Sequence, residues 1–370
     1  MILNSLSITN FKNIGSATLV FSPKINCLLG DNGMGKSNLL DAIYYLSFTK
    51  SYGRLPESML IKKDEQFAIV NGFYLRNGEI NEEINVALRR GARKVFKRGG
   101  KEYKRISEHI GLFPSVMIAP ADQSLITGHS EERRRFIDMI ISQADITYLN
   151  ALIRYNQALE QRNHLLRHEV ADMSLYESIE MIMNDAAAVI TEKRAIYVDE
   201  MSVILRGYYK RICDDADSVE IKFDRSVDSS KSLLDAFNVN RHRDRLLKHT
   251  SVGPHRDDLE FYLDGMNLKQ TASQGQMKSF TIALKFAQYE FLLKTNGRHP
   301  LLLLDDIFDK LDAKRVENIV GIVGGSDFGQ IFITDTNRKN LDDIMALSGG
   351  DYKIWNVENG NFKLLTDETD

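Results

Sequence analysis

Near its start the chain places apolar residues on every second position. Leu6 and Ile8 alternate with Ser5 and Ser7, and Ala17, Leu19 and Phe21 alternate with Ser16, Thr18 and Val20. A period of two predicts two half-buried strands meeting at a turn near Asn13–Gly15. A short apolar strand, Ile25 to Leu29, then runs into a glycine-rich segment. From Phe67 to Lys97 the alternation returns in Ile84, Val86 and Leu88, with turns predicted at Asn71-Gly72, Asn77-Gly78 and Gly99-Gly100. This stretch reads as an antiparallel β layer.

The pattern changes after Pro114 and Pro120. Between Ser130 and Lys210 there is no proline and little glycine, and apolar residues recur at helical spacing, as in Leu149, Leu152, Ile153 and Tyr155, Asn156, Leu159. The segment is predicted to be a helical arm. A polar patch from Asp214 to Ser230 interrupts it, and another helix is expected near Leu233 to Lys248. Further on, Met277, Phe280, Leu284, Ala287 and Phe291 share one helix face that Asn296-Gly297 ends. Leu301 to Leu304 form a fully buried strand and Gln330 to Thr334 a second. The organisation expected is an α/β protein: lobe I over 1–113, a helical lobe II over 114–297, and a return to lobe I over 298–370.

Composition narrows the partners. The 370 residues carry a formal charge of −3 and are 43% hydrophobic, so a core is affordable and any nucleic-acid surface must be local. Cys27 and Cys213 make neither a disulfide framework nor a metal spacing. No apolar run approaches the roughly 20 residues of a membrane span, and no signal core opens the chain. A cytoplasmic protein without a membrane partner is expected.

The chemistry begins at Gly30-x4-Gly35-Lys36-Ser37, a phosphate-binding loop between a strand and the amphipathic run Leu39, Leu40, Ile43, Leu46. Backbone N–H groups of Gly30, Asp31, Asn32, Gly33, Met34, Gly35, Lys36, Ser37 and Asn38 would cradle the phosphates of ATP at a helix start, where the helix dipole favours anions. Lys36 would neutralise the β and γ oxygens, and the Ser37 hydroxyl would coordinate Mg2+. Downstream, the leucine strand delivers two carboxylates, Asp305 for Mg2+ and Asp306 for the attacking water. Many ATPases of this broad class carry Glu at the second position, so Asp306 implies slow hydrolysis. Ser273, Gln274, Gly275 and Gln276 open the helix before that strand and make a second anion-seeking surface. It would be redundant for one nucleotide in one monomer. The economical reading is that it grips ATP held by another copy, with Asp309-Lys310-Leu311-Asp312 near the same seam; taken alone, the tetrapeptide is an ordinary helix cap.

This order resembles the ABC-type ATPase heads of the SMC and Rad50 group. Gly30-Asp31-Asn32-Gly33-x-Gly35-Lys36-Ser37-Asn38-Leu39-Leu40-Asp41-Ala42-Ile43, Glu132-Arg133-Arg134-Arg135-Phe136-Ile137-Asp138, Gly253-Pro254-His255-Arg256-Asp257-Asp258-Leu259, the Ser273 segment and Leu303-Leu304-Asp305-Asp306 are together similar to the RecF family of bacterial recombination mediators. Asp41 stands where that family usually has Glu, and Met277-Lys278 where Gln-Arg is commoner. The resemblance implies an ABC-type (P-loop) ATPase head with an antiparallel β layer and an inserted helical lobe. It further implies a weak DNA-stimulated ATPase that dimerises on ATP, binds double-stranded DNA near single-strand gaps and acts with RecR and RecO in DNA repair and replication. Gln123, in APADQS, is the candidate Q-loop residue, with Asp122 fitting as well.

The local basic surface is Arg89, Arg90, Arg93, Lys94, Lys97 and Arg98, continued by Lys101, Lys104 and Arg105 with Glu102 as the one acid among them. Such a cluster suits sequence-independent phosphate contacts, or simply a solvated, edge-protecting hairpin. For Arg241, Arg243, Arg245 and Lys248 the solvated-helix reading leads. His164 and His168 share a helix face with no third ligand in view. His255 is either structural or borders the nucleotide seam. A transporter ATPase would share the P-loop but not the arginine-rich arm, and the 120–273 interval is too short for a long Rad50-type coiled coil. The tail after Asp335 is too short for a fused nuclease.

Overall fold

The computed structural model describes residues 1–76, 80–214, 218–336, 338–347 and 350–365. Two compact units emerge: residues 1–122, 211–213 and 288–370 form the first, and 123–210 with 214–287 the second.

Unit 1 starts with β1 (Ile2–Phe11) and β2 (Ile14–Val20), paired antiparallel with Leu6 opposite Leu19, as the alternation predicts. After β3 (Ile25–Leu29) and the helix Lys36–Phe48, the antiparallel layer continues with β4 (Phe67–Arg76), β5 (Ile80–Arg89), β6 (Val95–Arg98) and β7 (Lys101–Glu102). Its order is β2-β1-β4-β5-β6-β7. Gly99-Gly100 turns β6 into β7, both glycines at positive φ. Asn71-Gly72 is not a turn: it lies inside β4. A Cβ on Gly72 would come within 2.6 Å of Leu46 Cδ1, so glycine serves the close approach of the helix to the sheet. Asn77-Gly78 falls outside the described residues.

The helix Lys36–Phe48 also departs from expectation. It is not amphipathic, because Leu39, Leu40, Ala42, Ile43, Tyr44, Tyr45 and Leu46 are all buried. It contacts β1, β4 and β5 of the antiparallel layer and also β8 (Ser115–Ile118), followed later in the chain by its partners on a second sheet, so both of its faces are covered. β8 lies beyond the expected boundary at 113/114 yet belongs to this second sheet. The chain therefore leaves unit 1 after Asp122.

Unit 2 carries the helices Ser130–Ala144, Ile146–Arg167 and Met173–Cys213, the last of which ends in unit 1. The patch 214–230 contains a strand, β9 (Val219–Asp224), where the sequence suggested only a polar break. Val219 and Ile221 are buried and alternate with exposed Glu220 and Lys222. β9 pairs with β10 (Asp258–Leu263), which pairs with β11 (Met266–Asn267). The helix Leu233–Leu247 opens with a reciprocal Ser232–Asp235 capping box. Buried Arg162 holds Glu180 at 3.0 Å and Asp244 at 2.7 Å, tying that helix to the arm.

The helix Gln274–Asn296 leads back into unit 1, where β12 (Leu301–Asp305), β13 (Ile331–Asp335), β14 (Tyr352–Glu358) and β15 (Asn361–Leu365) complete the second sheet. Its order is β15-β14-β3-β13-β12-β8, parallel except for the edge strand β15. β12 and β13 are buried at every position, as expected for central parallel strands.

Candidate functional site

Three adjacent parallel strands bring their carboxyl ends to one edge of unit 1. Asp335 of β13 lies opposite Leu29 of β3, and Thr334 opposite Asp305 of β12. The glycine loop, Thr334-Asp335 and Asp305-Asp306 therefore project from the same rim, where open parallel sheets bind ligands. Ser37 Oγ donates to Asp305 Oδ1 at 2.8 Å, and Thr334 Oγ1 donates to the same oxygen at 2.8 Å. The Asp306 N–H in turn donates to Thr334 Oγ1 at 3.1 Å. Asp306 adopts a left-handed backbone, φ 49°, which aspartate tolerates better than most residues.

Lys36 is buried and its ammonium donates to the carbonyl oxygens of Gly30 and, at 2.9 Å, Asp31. Burial lowers its pKa, while the carboxylates of Asp306, Asp305, Asp335 and Asp31 pull it upward. One lysine thus faces four acids. Such an edge suits a cation and a phosphate together better than either alone. The hard oxygens of Ser37 and Asp305, already pointed at each other, fit Mg2+, which takes few protein ligands and completes its shell with water and substrate phosphates.

The loop is held from both flanks. A Cβ on Gly30 would lie 2.3 Å from the Val357 carbonyl oxygen, so β14 passes too close for any side chain. Asn13, in the β1–β2 turn, donates through Nδ2 to the Met34 carbonyl at 3.3 Å and accepts from Asn38 Nδ2 at 2.8 Å. The Gly360 N–H donates to the same Met34 carbonyl at 2.8 Å. Asp31, Asn32 and Gly33 at the loop tip stay exposed. Sequence reasoning missed Asn13, Thr334 and Asp335. For the last two a signal existed, since a polar pair ends an apolar strand there just as Asp305-Asp306 ends the leucine run.

Asp122 accepts hydrogen bonds from the Tyr52 hydroxyl and from the Ala119 N–H at 2.8 Å. Burial, followed by the Asp122 charge, pushes the Tyr52 hydroxyl well above its ordinary pKa. Asp41 is buried and pairs with Lys12 at 2.6 Å while accepting the Tyr52 N–H at 2.6 Å. Gln123 is half-buried and begins unit 2.

In unit 2 Ser273 and Gln276 cap the helix reciprocally: the Gln276 N–H donates to Ser273 Oγ at 3.2 Å, and the Ser273 N–H to Gln276 Oε1 at 3.0 Å. Ser273 and Gln274 are exposed, Gly275 and Gln276 half-buried. The ordinary cap and an exposed, anion-favouring helix start coexist. In unit 1 Asp309 and Lys310 are exposed, and Asp312 caps the helix Ala313–Gly324 through the Arg315 N–H at 2.9 Å.

The basic hairpin divides. Arg90 donates to the carbonyl oxygens of Glu65 (2.8 Å), Ser58 (3.1 Å) and Lys62 (3.4 Å). Lys94 binds the Thr49 carbonyl at 2.6 Å and Glu57 at 2.7 Å, and Arg98 pairs with Glu82 at 2.6 Å. These three clasp the loop and sheet edge. Arg89, Arg93, Lys101, Lys104 and Arg105 are exposed and Lys97 half-buried. Elsewhere, His164 and His168 stack at 4.1 Å, with His168 bonded to the His164 carbonyl. Half-buried His255 engages the Tyr155 hydroxyl at 2.8 Å and the Thr250 carbonyl at 3.1 Å, and desolvation lowers its pKa to about 4.

Residues 2–355 match the RecF/RecN/SMC N terminal domain. The chain is 50% identical over 360 residues to the DNA replication and repair protein RecF of Parabacteroides distasonis, covering 97% of this chain and 98% of that protein. It is 47% identical over 361 residues to the RecF of Bacteroides fragilis strain YCH46, covering 97% of each. Among solved structures, the recombination mediator protein RecF-ATP of the RecFOR pathway superposes with a TM-score of 0.87 at 28% identity, over 98% of this chain and 99% of that one. The Pyrococcus furiosus Smc head domain bound to the C-terminal domain of ScpA shares the fold alone, with a TM-score of 0.59 at 20% identity over 98% and 96% of the two chains.

Proposed function

This chain belongs to the RecF family of the RecF/RecN/SMC group, and on that premise we propose that it is an ATP-gated, DNA-binding switch of replication and recombinational repair. The observation that carries this reading is the chain of hydrogen bonds from Ser37 through Asp305 and Thr334 to Asp306, next to Lys36. ATP binds along Gly30–Asn38, its phosphates cradled by loop N–H groups and by Lys36, which exchanges the carbonyls of Gly30 and Asp31 for β and γ oxygens. Ser37 and Asp305 hold Mg2+, which neutralises phosphate charge when bound. Asp306 orients the water, and its short side chain keeps turnover slow.

The helix start at Ser273–Gln276 completes the site on a second copy of the chain, so that ATP closes a homodimer and hydrolysis reopens it. Gln123 links nucleotide state to unit 2. The exposed hairpin residues Arg89 and Arg93, with Lys97, hold the backbone of double-stranded DNA near a gap. The RecFOR pathway of the structurally similar RecF makes RecR and RecO the expected partners in recombinase loading. DNA stimulates the weak ATPase, and the protein works in the cytoplasm.

Titration with ATP and Mg2+ tests the nucleotide reading. Lys36→Ala should lose at least about tenfold in affinity, the scale of one charge-assisted phosphate contact. Asp306→Asn should bind ATP like the parent and turn it over more slowly. Parental affinity in Lys36→Ala would contradict the assignment of the loop.

A further inference from the structure

Two segments of the sequence that the nucleotide reading does not use, Glu132–Asp138 and Gly253–Leu259, both lie in unit 2. There they meet. Arg133 grips Asp258 with two prongs, Nε to Oδ1 at 2.7 Å and Nη2 to Oδ2 at 2.8 Å. Arg194, buried on the long helix, holds Asp138 at 2.8 Å, Asp257 at 3.0 Å and the Pro254 carbonyl at 2.7 Å. Each of these three carboxylates therefore has its cation.

Arg134 is left over. Its Nη1 donates to the Asp257 carbonyl oxygen at 2.7 Å, and no carboxylate lies within ion-pair distance of it among the described residues. A guanidinium has five N–H donors, and half-buried Arg134 commits one of them to a carbonyl, leaving the others open to a ligand. Burial and the neighbouring Arg194 charge disfavour its cationic form, only partly offset by the more distant carboxylates of Asp258 and Glu131. Arg134 lines a cavity of about 400 Å³ together with Arg135, Leu152, Tyr155 and Asn156. Glu131 and Asp138 also line it, but Glu131 is bound by Arg135 and Asp138 by Arg194. His255 on its wall brings no charge at neutral pH, because desolvation lowers its pKa to about 4.

We infer that this cavity binds a phosphate oxyanion, with Arg134 as its principal ligand and Asn156 as the polar group beside it. The planar fork of a guanidinium matches phosphate oxygens two at a time, which a lone carbonyl cannot do. The phosphate is either free in solution or part of a nucleic-acid backbone. This site is independent of the P-loop and does not rest on the functional reading above.

Because the P-loop also attracts phosphate, the test uses full-length Lys36→Ala protein, and follows its melting temperature against inorganic phosphate and against a dinucleotide with one internal phosphodiester. Phosphate should raise the melting temperature saturably. Adding Arg134→Gln should abolish the rise, and Arg134→Lys should weaken the apparent affinity by about tenfold, keeping the charge but losing the fork. A matching response to the dinucleotide assigns the site to nucleic acid, and a response to phosphate alone assigns it to the free ion. No response in the Lys36→Ala parent, or a response that survives Arg134→Gln in protein whose circular dichroism matches the parent, overturns the proposal.

Discussion

At the scale of single residues, buried His109 bears on how the fold meets acid. His109 is fully buried, bonded to the Leu46 carbonyl at 2.6 Å and the Tyr103 hydroxyl at 2.9 Å, and stacked on Phe113. Desolvation lowers its pKa to about 4, against the bond to Leu46, which acts the other way. The unfolded chain protonates this imidazole near pH 6.5, before the native state does, so its stabilisation is complete above that pH and is lost as pH falls toward 4. The shift corresponds to roughly 3 kcal/mol. Urea unfolding between pH 7.5 and 4.5 should show the parent weakening across this window. His109→Gln, which retains an amide to bond Leu46, should unfold more easily at pH 7.5 and show a shallower pH slope; an unchanged slope would contradict the assignment. The residues legible in the sequence, Lys36, Ser37 and Asp305, are those whose roles follow from a local motif. Thr334 and Asp335 end an apolar strand as Asp305-Asp306 do, but that they share the rim with the glycine loop follows only from strand register, and Asn13 reaches the loop through a turn folded back on it, which local spacing does not reveal.

At the scale of elements, the hairpin from β5 to β7 shows why a charge cluster in sequence is not one free surface. Lys94 and Arg98 are half-buried and ion-paired, and Arg90, though exposed, is tied to three backbone carbonyls, so alanine at these positions costs ion pairs or hydrogen bonds. Arg89, Arg93, Lys101, Lys104 and Arg105 remain exposed. Replacing those five with alanine should weaken duplex binding alike for all sequences and flatten its dependence on salt, with the melting temperature held. A parental salt slope would return the hairpin to a purely structural role. The elements themselves divide in the same way. Regular alternation revealed β1, β2 and the antiparallel layer, and helical spacing revealed the arm. Asn71-Gly72 was misleading because glycine there answers a neighbour, Leu46, rather than a turn. β9 was hidden by flanking Asp and Ser although Val219 and Ile221 alternate. The all-round burial of Lys36–Phe48 follows from contacts with two sheets, which no property of the helix alone announces.

At the scale of the whole molecule, the chain carries the glycine loop Gly30–Ser37 in one unit and an exposed helix start at Ser273–Gln276 in the other. The central claim is that these serve one another between two copies. An arginine at Ser273 would place a bulky cation where the neighbour's phosphates must approach, and would remove a helix cap worth about 1 kcal/mol, too little to unfold a domain of this size. ATP binding at the glycine loop of the same chain should be untouched by that change. The most direct measurement is sedimentation velocity of parent and Ser273→Arg protein with ATP and Mg2+, and with ADP. The account predicts that the parent dimerises with ATP and stays monomeric with ADP, whereas Ser273→Arg binds ATP with parental affinity yet remains monomeric and fails to hydrolyse it. A Ser273→Arg protein that dimerises on ATP as the parent does would contradict it.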